Sequence, residues 1–236
     1  MVALKMIVLT LVAASIDANS NSLRNGRDKG RITHAYADRN DRDSILDWNL
    51  IALDAVAQDV SGTFGLPEQN GPTRAARALA IVHVAMFDAY NSIDHIAAPV
   101  LTFIDSPEAS IEAAVSTAAH STLLALYPSQ ASVINAAYES YHAAIPDCSS
   151  KQLGIDLGNT IAKAMLDAHT DDGNDAAIVY VPSGNPGNHN VDPLNPTQGF
   201  LNPNWGYCMQ TIVMIQKNNH VYSSAHCLLA SSNPFV

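Results

Sequence analysis

Positive charge is what this 236-residue sequence has little of: 12 Lys and Arg stand against 22 Asp and Glu, a formal net charge of −10. From Asp43 onward the cations reduce to Arg74, Arg77, Lys151, Lys163 and Lys217 against 18 acids, and no arginine follows Arg77. A surface of that sign repels phosphate backbones and anionic lipid, which argues against nucleic acid or an anionic membrane as partner. Cysteine is scarce as well. Cys148, Cys208 and Cys227 are too few and too scattered for a disulfide framework or a zinc site, although Cys208 and Cys227 can pair in a secreted protein. A long apolar run is also missing. The longest at the N-terminus, Met6 to Ala14, falls well short of the ~20 residues a bilayer span requires.

That short run follows Lys5 and precedes small residues, a secretory signal pattern over residues 1–18. A buried N-terminal helix is the alternative. Residues 19–46 are polar, hold five of the seven arginines, and are expected to form a flexible arm that either stays free or folds back onto the acidic body.

With 47% hydrophobic and 14% charged residues, the remainder belongs to a folded, all-α protein. Asp47 is placed to cap a helix through Val60, with Trp48, Ile51, Ala52, Ala55 and Val56 on one face. Thr73 is placed to cap a second, apolar on nearly all sides and expected at the centre of a bundle. Ser106-Pro107-Glu108 is expected to start a third that stops at Pro128, and residues 129–145 form a fourth. Ser149 or Ser150 is expected to cap a fifth, ending in Asp171-Asp172-Gly173-Asn174. Only Ala177–Val181 carries any strand pattern. Residues 181–206 hold five prolines and four glycines, which predicts a long irregular loop. The stretch 207–236 lacks acids altogether and differs in character from the body.

Each candidate for chemistry meets a physical obstacle. Pro182-Ser183-Gly184 resembles an oxyanion-cradling loop, but gripping phosphate or vanadate takes several converging cations. Lys151 and Lys163 lie about three helical turns apart and cannot clamp one small anion. An ordinary turn is expected. Glu139 and His142 have the Glu-x-x-His spacing of di-iron bundles, yet no second copy exists. The acidic run 167–175 fails the calcium-loop pattern and reads as a helix end with solvated carboxylates. His83 is expected to be a locally satisfied core histidine. No Gly-x-Ser-x-Gly, Gly-x-Gly-x-x-Gly or Walker pattern occurs.

"WNLIALDAV", "GPTRAARALAIVHVAMFDAYNSI", "EASIEAAVSTAAHSTLLALYP", "INAAYESY", "GIDLGNTIAKAMLDAHTDDG" and "PNWG" together resemble the N-terminal half of secreted vanadium-dependent haloperoxidases, relatives of the type-2 phosphatidic-acid phosphatase superfamily, over about residues 45–206. The resemblance implies a large helical bundle and, in full-length relatives, peroxide-dependent halide oxidation with vanadate as Lewis acid. It also implies a vanadate site in a later part of the chain: a lysine and arginine, a Pro-Ser-Gly-His loop, then an arginine and a histidine. None of these transfers here. Pro182-Ser183-Gly184 precedes Pro203-Asn204-Trp205-Gly206 instead of following it, and Asn185 stands where the loop requires histidine.

The expectation is therefore a secreted, truncated haloperoxidase-like helical domain over residues 47–206 with a non-homologous tail over 207–236. It is inactive alone, with no catalytic, cofactor-binding or metal-ligating residue to name. Its half-exposed core would self-associate or meet a complementary subunit. The alternatives are a non-enzymatic secreted helical module and a fragment of a superfamily acid phosphatase.

Overall fold

Asp43 opens the described chain as a helix cap. The computed structural model describes residues 43–207. The expected signal segment, the arm up to residue 42 and the tail from Cys208 lie outside the described residues, as do both cysteines of the suggested 208–227 pair.

Five α-helices follow: α1 Ser44–Val60, α2 Pro72–Asp94, α3 Ile111–Leu126, α4 Ala131–His142 and α5 Ser149–Ala168. The all-α expectation holds, and among the described residues no strand forms; Ala177–Val181 is irregular. No described helix is long and apolar enough to cross a membrane.

Several expected caps move. The Asp43 carboxylate, not that of Asp47, accepts from the amides of Ile45 and Leu46 at 3.0 and 3.1 Å. Asp47 sits buried in the first turn of α1. α2 starts at Pro72 behind Gly71, whose φ of 92° suits the residue without a Cβ. Thr73 is inside the helix. The third helix begins only after Ser110, whose Oγ accepts from the Ala113 amide at 3.2 Å; Ser106-Pro107-Glu108 forms the preceding turn. α5 has Cys148 at its cap position and no side-chain cap.

The centre of the bundle is α3, not α2. Every residue from Ala113 to Ala119 is buried, and α3 packs against each of the other four helices. Five of those seven are Ala or Val, so neighbours approach closely on all sides without meeting long side chains. α2 instead leaves His83, Phe87 and Tyr90 half-exposed along one stripe.

The tightest approach is α5 on α3. α5 buries Gly154, Leu157, Gly158, Ile161, Ala162 and Met165, the three-and-four spacing of a single face. Gly154 and Gly158 face Ser110 and Ala114, and a Cβ at either would come within 2.6 Å of a carbonyl oxygen of α3 or its cap.

Buried side chains tie the connections down. The Asp59 carboxylate accepts from the Glu68 and Gln69 amides, and the side-chain amides of Gln69 and Gln130 donate to the Leu126 and Ala55 carbonyls. Asp88, fully buried on α2, accepts from the amides of Val100, Leu101 and Thr102 at 2.8–2.9 Å. These bonds satisfy loop N–H groups that would otherwise face apolar surroundings. The long loop after α5 is an excursion pinned at its far end. Asn202 donates to the Asn70 carbonyl and to Thr73, and Asn204 to the carbonyls of Gly173 and Asn174.

Candidate functional site

The two arginines of the described chain, Arg74 and Arg77, lie one turn apart on α2. They line an open pocket of about 380 Å³ between α2, the end of α3 and the turn after α5. Glu68, Gln69, His169, Asn174 and Asp175 complete the polar wall, over a floor of Ile81, Leu126 and Leu166. This is the best-placed concavity for an anion, so the state of its arginines decides what it can do.

Both are committed. Arg77 donates Nε–H to Asp172 at 2.6 Å and an Nη2–H to the His169 carbonyl at 2.9 Å, with side chains 8% and 1% exposed in the ion pair. Arg74 donates to the Asn174 carbonyl at 2.8 Å and meets Asp175 at 3.3 Å. Glu68 adds a further negative charge beside them, fastened to Ser129. The expectation of solvated carboxylates at 167–175 is therefore corrected for Asp172. It is buried, because an arginine on a neighbouring helix supplies its counter-charge. The guanidinium forks brace the end of α5 against α2, and the acids here would repel an added oxyanion.

The lysines are equally local. Lys151 donates to Asp147 and to the carbonyls of His142 and Ile145, closing the turn between α4 and α5. Lys163 pairs with Asp167 one turn on. The described residues thus offer no converging set of cations, and they do not fit vanadate.

Pro182-Ser183-Gly184 forms an ordinary exposed turn. Ser183 Oγ accepts from the Asn185 amide at 3.2 Å and from the Asn188 side chain at 2.6 Å, and Gly184 has a φ of 73° with open space around it. His83 is locally satisfied, as expected, but sits on the partly exposed stripe of α2 and not in the core. Its Nδ1 donates to the Leu79 carbonyl at 2.7 Å, its Nε2 pairs with the Asn49 side chain at 2.9 Å, and burial lowers its pKa.

Glu139 and His142 part company: the glutamate is exposed and the histidine buried, so they do not meet as ligands. Among the described residues no group of three or more His, Cys, Asp or Glu could hold a metal ion. His142 instead contacts Ser116 Oγ through Nε2 at 2.9 Å, a pair that sequence spacing did not reveal. The pair lacks the polarity of a nucleophile and base. Ser116 directs its own proton at the Glu112 and Ala113 carbonyls, so it accepts from the Nε2–H of a neutral imidazole. Ser116 is also fully buried.

Around this pair lies an aromatic stack. Tyr138 is sandwiched between His120 and His142 with ring centroids 4.0 Å from each, and Trp48 presents its edge to Tyr138 and Tyr141. Burial lowers the pKa of His120. Burial, the Lys151 charge and His120 together push His142 down to about 4. Neutral rings stack without the cost of a buried charge.

Five helices around an alanine-rich centre, with every described cation held in a structural contact, define an all-α helical bundle. Residues 35–200 match the family model of the vanadium chloroperoxidase N-terminal domain, and the chain belongs to that family. No curated protein and no solved structure matches the chain.

Proposed function

We propose that this chain supplies the helical N-terminal scaffold of a secreted, haloperoxidase-like protein of the type-2 phosphatidic-acid phosphatase superfamily. In this reading, peroxide-dependent halide oxidation requires an oxyanion grip that residues 43–207 do not provide. The observation that carries it is the engagement of all four described cations. Arg74 and Arg77 hold the turn after α5, Lys151 the turn before it, and Lys163 its own helix. A scaffold needs such contacts; a vanadate pocket needs cations that converge and stay available. The chain alone is inactive, and a complementary helical body or a second copy would complete the bundle. The signal pattern of residues 1–18 supports export, and the acid-free composition of 207–236 supports a tail foreign to the family.

The test is an assay of the full chain for halogenation of an acceptor dye with halide, hydrogen peroxide and vanadate, alongside equilibrium dialysis of vanadate. No turnover and no binding are expected. Turnover, or vanadate held at micromolar concentration, overturns the reading. For the tail, a full-length message whose uninterrupted frame ends at Val236 would count against its foreign origin.

A further inference from the structure

The outer face of α1 carries an apolar stripe. Leu50 is 37% and Val60 64% exposed, Ala57 is exposed, and Leu46 and Leu53 are half-buried. These five residues recur at spacings of four and three, so helical geometry sets them on one continuous face about 21 Å long. Trp48, Ile51, Ala52 and Ala55, buried in the bundle, occupy the opposite side of the same helix. No charged residue interrupts the stripe. Asp43 and Asp54 lie along one of its edges, and Asn49 and Val56 along the other. The four described Lys and Arg are engaged elsewhere and bring no cation to this face.

The stripe also tapers. Leu46, Leu50 and Leu53 form its N-terminal part, and the smaller Ala57 and Val60 its C-terminal part. Two copies laid parallel would set leucine on leucine at one end and leave a gap at the other. Turned end for end, the leucines of one copy meet Ala57 and Val60 of the other, and large side chains face small ones along the whole length. That pairing also opposes the two helix dipoles and repeats every contact about a two-fold axis. An unrelated helix has no reason to carry the reciprocal taper, whereas a second copy carries it by construction. The net negative charge of the body works against association, and salt screens that repulsion. One helix face buries less than the roughly 800 Å² per partner of a standard interface, so the pair is expected to be weak, with a dissociation constant of about 10–100 µM.

We propose that two copies of this chain pair through antiparallel α1 helices, with Leu46, Leu50 and Leu53 of each packed on Ala57 and Val60 of the other. The pairing rests on the scaffold reading for its open face, but vanadate binding and turnover do not register it, so either can fail without the other. The test is sedimentation equilibrium of the full chain, under reducing conditions, over about 2 to 200 µM. The mass is expected to rise from one chain to two, at lower concentration in high salt than in low. Leu50→Glu and Val60→Lys, both at exposed positions, should each weaken association by about tenfold with helical content unchanged. Mixed in equal amounts, the two variants should associate again. End-for-end pairing brings position 50 of one copy beside position 60 of the other, whereas parallel pairing leaves them about 15 Å apart. Asp54→Asn, which removes like charges from the edge, should tighten the pair severalfold. A chain that stays monomeric over the whole range overturns the proposal. So does association that survives Leu50→Glu or Val60→Lys, a mixture of the two that fails to associate, or pairing that weakens as salt is added.

Discussion

Arg77 on α2 and Asp172 in the turn after α5 form a buried ion pair, Nε to Oδ2 at 2.6 Å, across 95 positions of sequence. The pair joins the second helix to the end of the fifth and carries the irregular chain that follows.

Removing one partner should therefore cost far more than removing both. Asp172→Ala leaves a guanidinium buried without its counter-charge and should destabilise the fold by about 3–5 kcal/mol. Arg77→Met/Asp172→Leu should recover much of that loss. Urea unfolding of the two variants decides it, and equal losses would show that the carboxylate matters through its other contact, the Asn174 amide.

Gly158→Ala should destabilise despite improving helix propensity. Its Cβ would stand 2.5 Å from the Ala114 carbonyl oxygen and 2.7 Å from Thr117 Cβ, neither of which is a flexible tip. The propensity gain of about 1 kcal/mol is outweighed by the displacement of α5 from α3. A net loss of about 2 kcal/mol is expected. Chemical denaturation measures it.

Asp88→Asn should loosen the loop after α2 ahead of the rest. The carboxylate accepts three backbone amides, and an asparagine brings one oxygen and two donors to the same place. A loss of about 2–3 kcal/mol is expected. Hydrogen exchange at Val100, Leu101 and Thr102 should rise first.

Stability should fall in mild acid. His142 has its folded pKa depressed from 6.5 to about 4, by burial first and by Lys151 and His120 after it. Below pH 6.5 the unfolded chain takes up a proton that the folded chain refuses, so stability declines from there down to about pH 4 and levels off. His83 and His120 shift in the same direction. Asp54 and Asp88, whose burial raises their pKa, oppose the trend toward the acid end. His142→Gln should flatten the slope between pH 7 and pH 5 by about 2 kcal/mol. Thermal unfolding at the two pH values reads it.

How much of this was written in the sequence depends on range. The apolar face Trp48, Ile51, Ala52, Ala55 holds in the structure, because a 3.6-residue period shows in any helix that packs against one neighbour. The same logic misplaced the centre. α2 has the longer apolar stretch, but α3, dense in alanine, is small enough to be surrounded. Apolarity marks what can be buried, and side-chain size decides how many neighbours fit. The caps slipped by a few residues because several Ser, Thr and Asp competed at each helix start, and only backbone geometry selects among them.

At the candidate site the outcome divides in the same way. The shortage of cations was legible as composition, and it already argued against an oxyanion grip anywhere in residues 43–207. That Arg77 would find Asp172, that His142 would turn away from Glu139 and donate to Ser116, and that Asp88 would hold a distant loop were not. Each joins residues on different elements, so each exists only after the helices have packed. Sequence sets which side chains are present and at what local spacing. Packing alone determines which of them meet, and with what protonation.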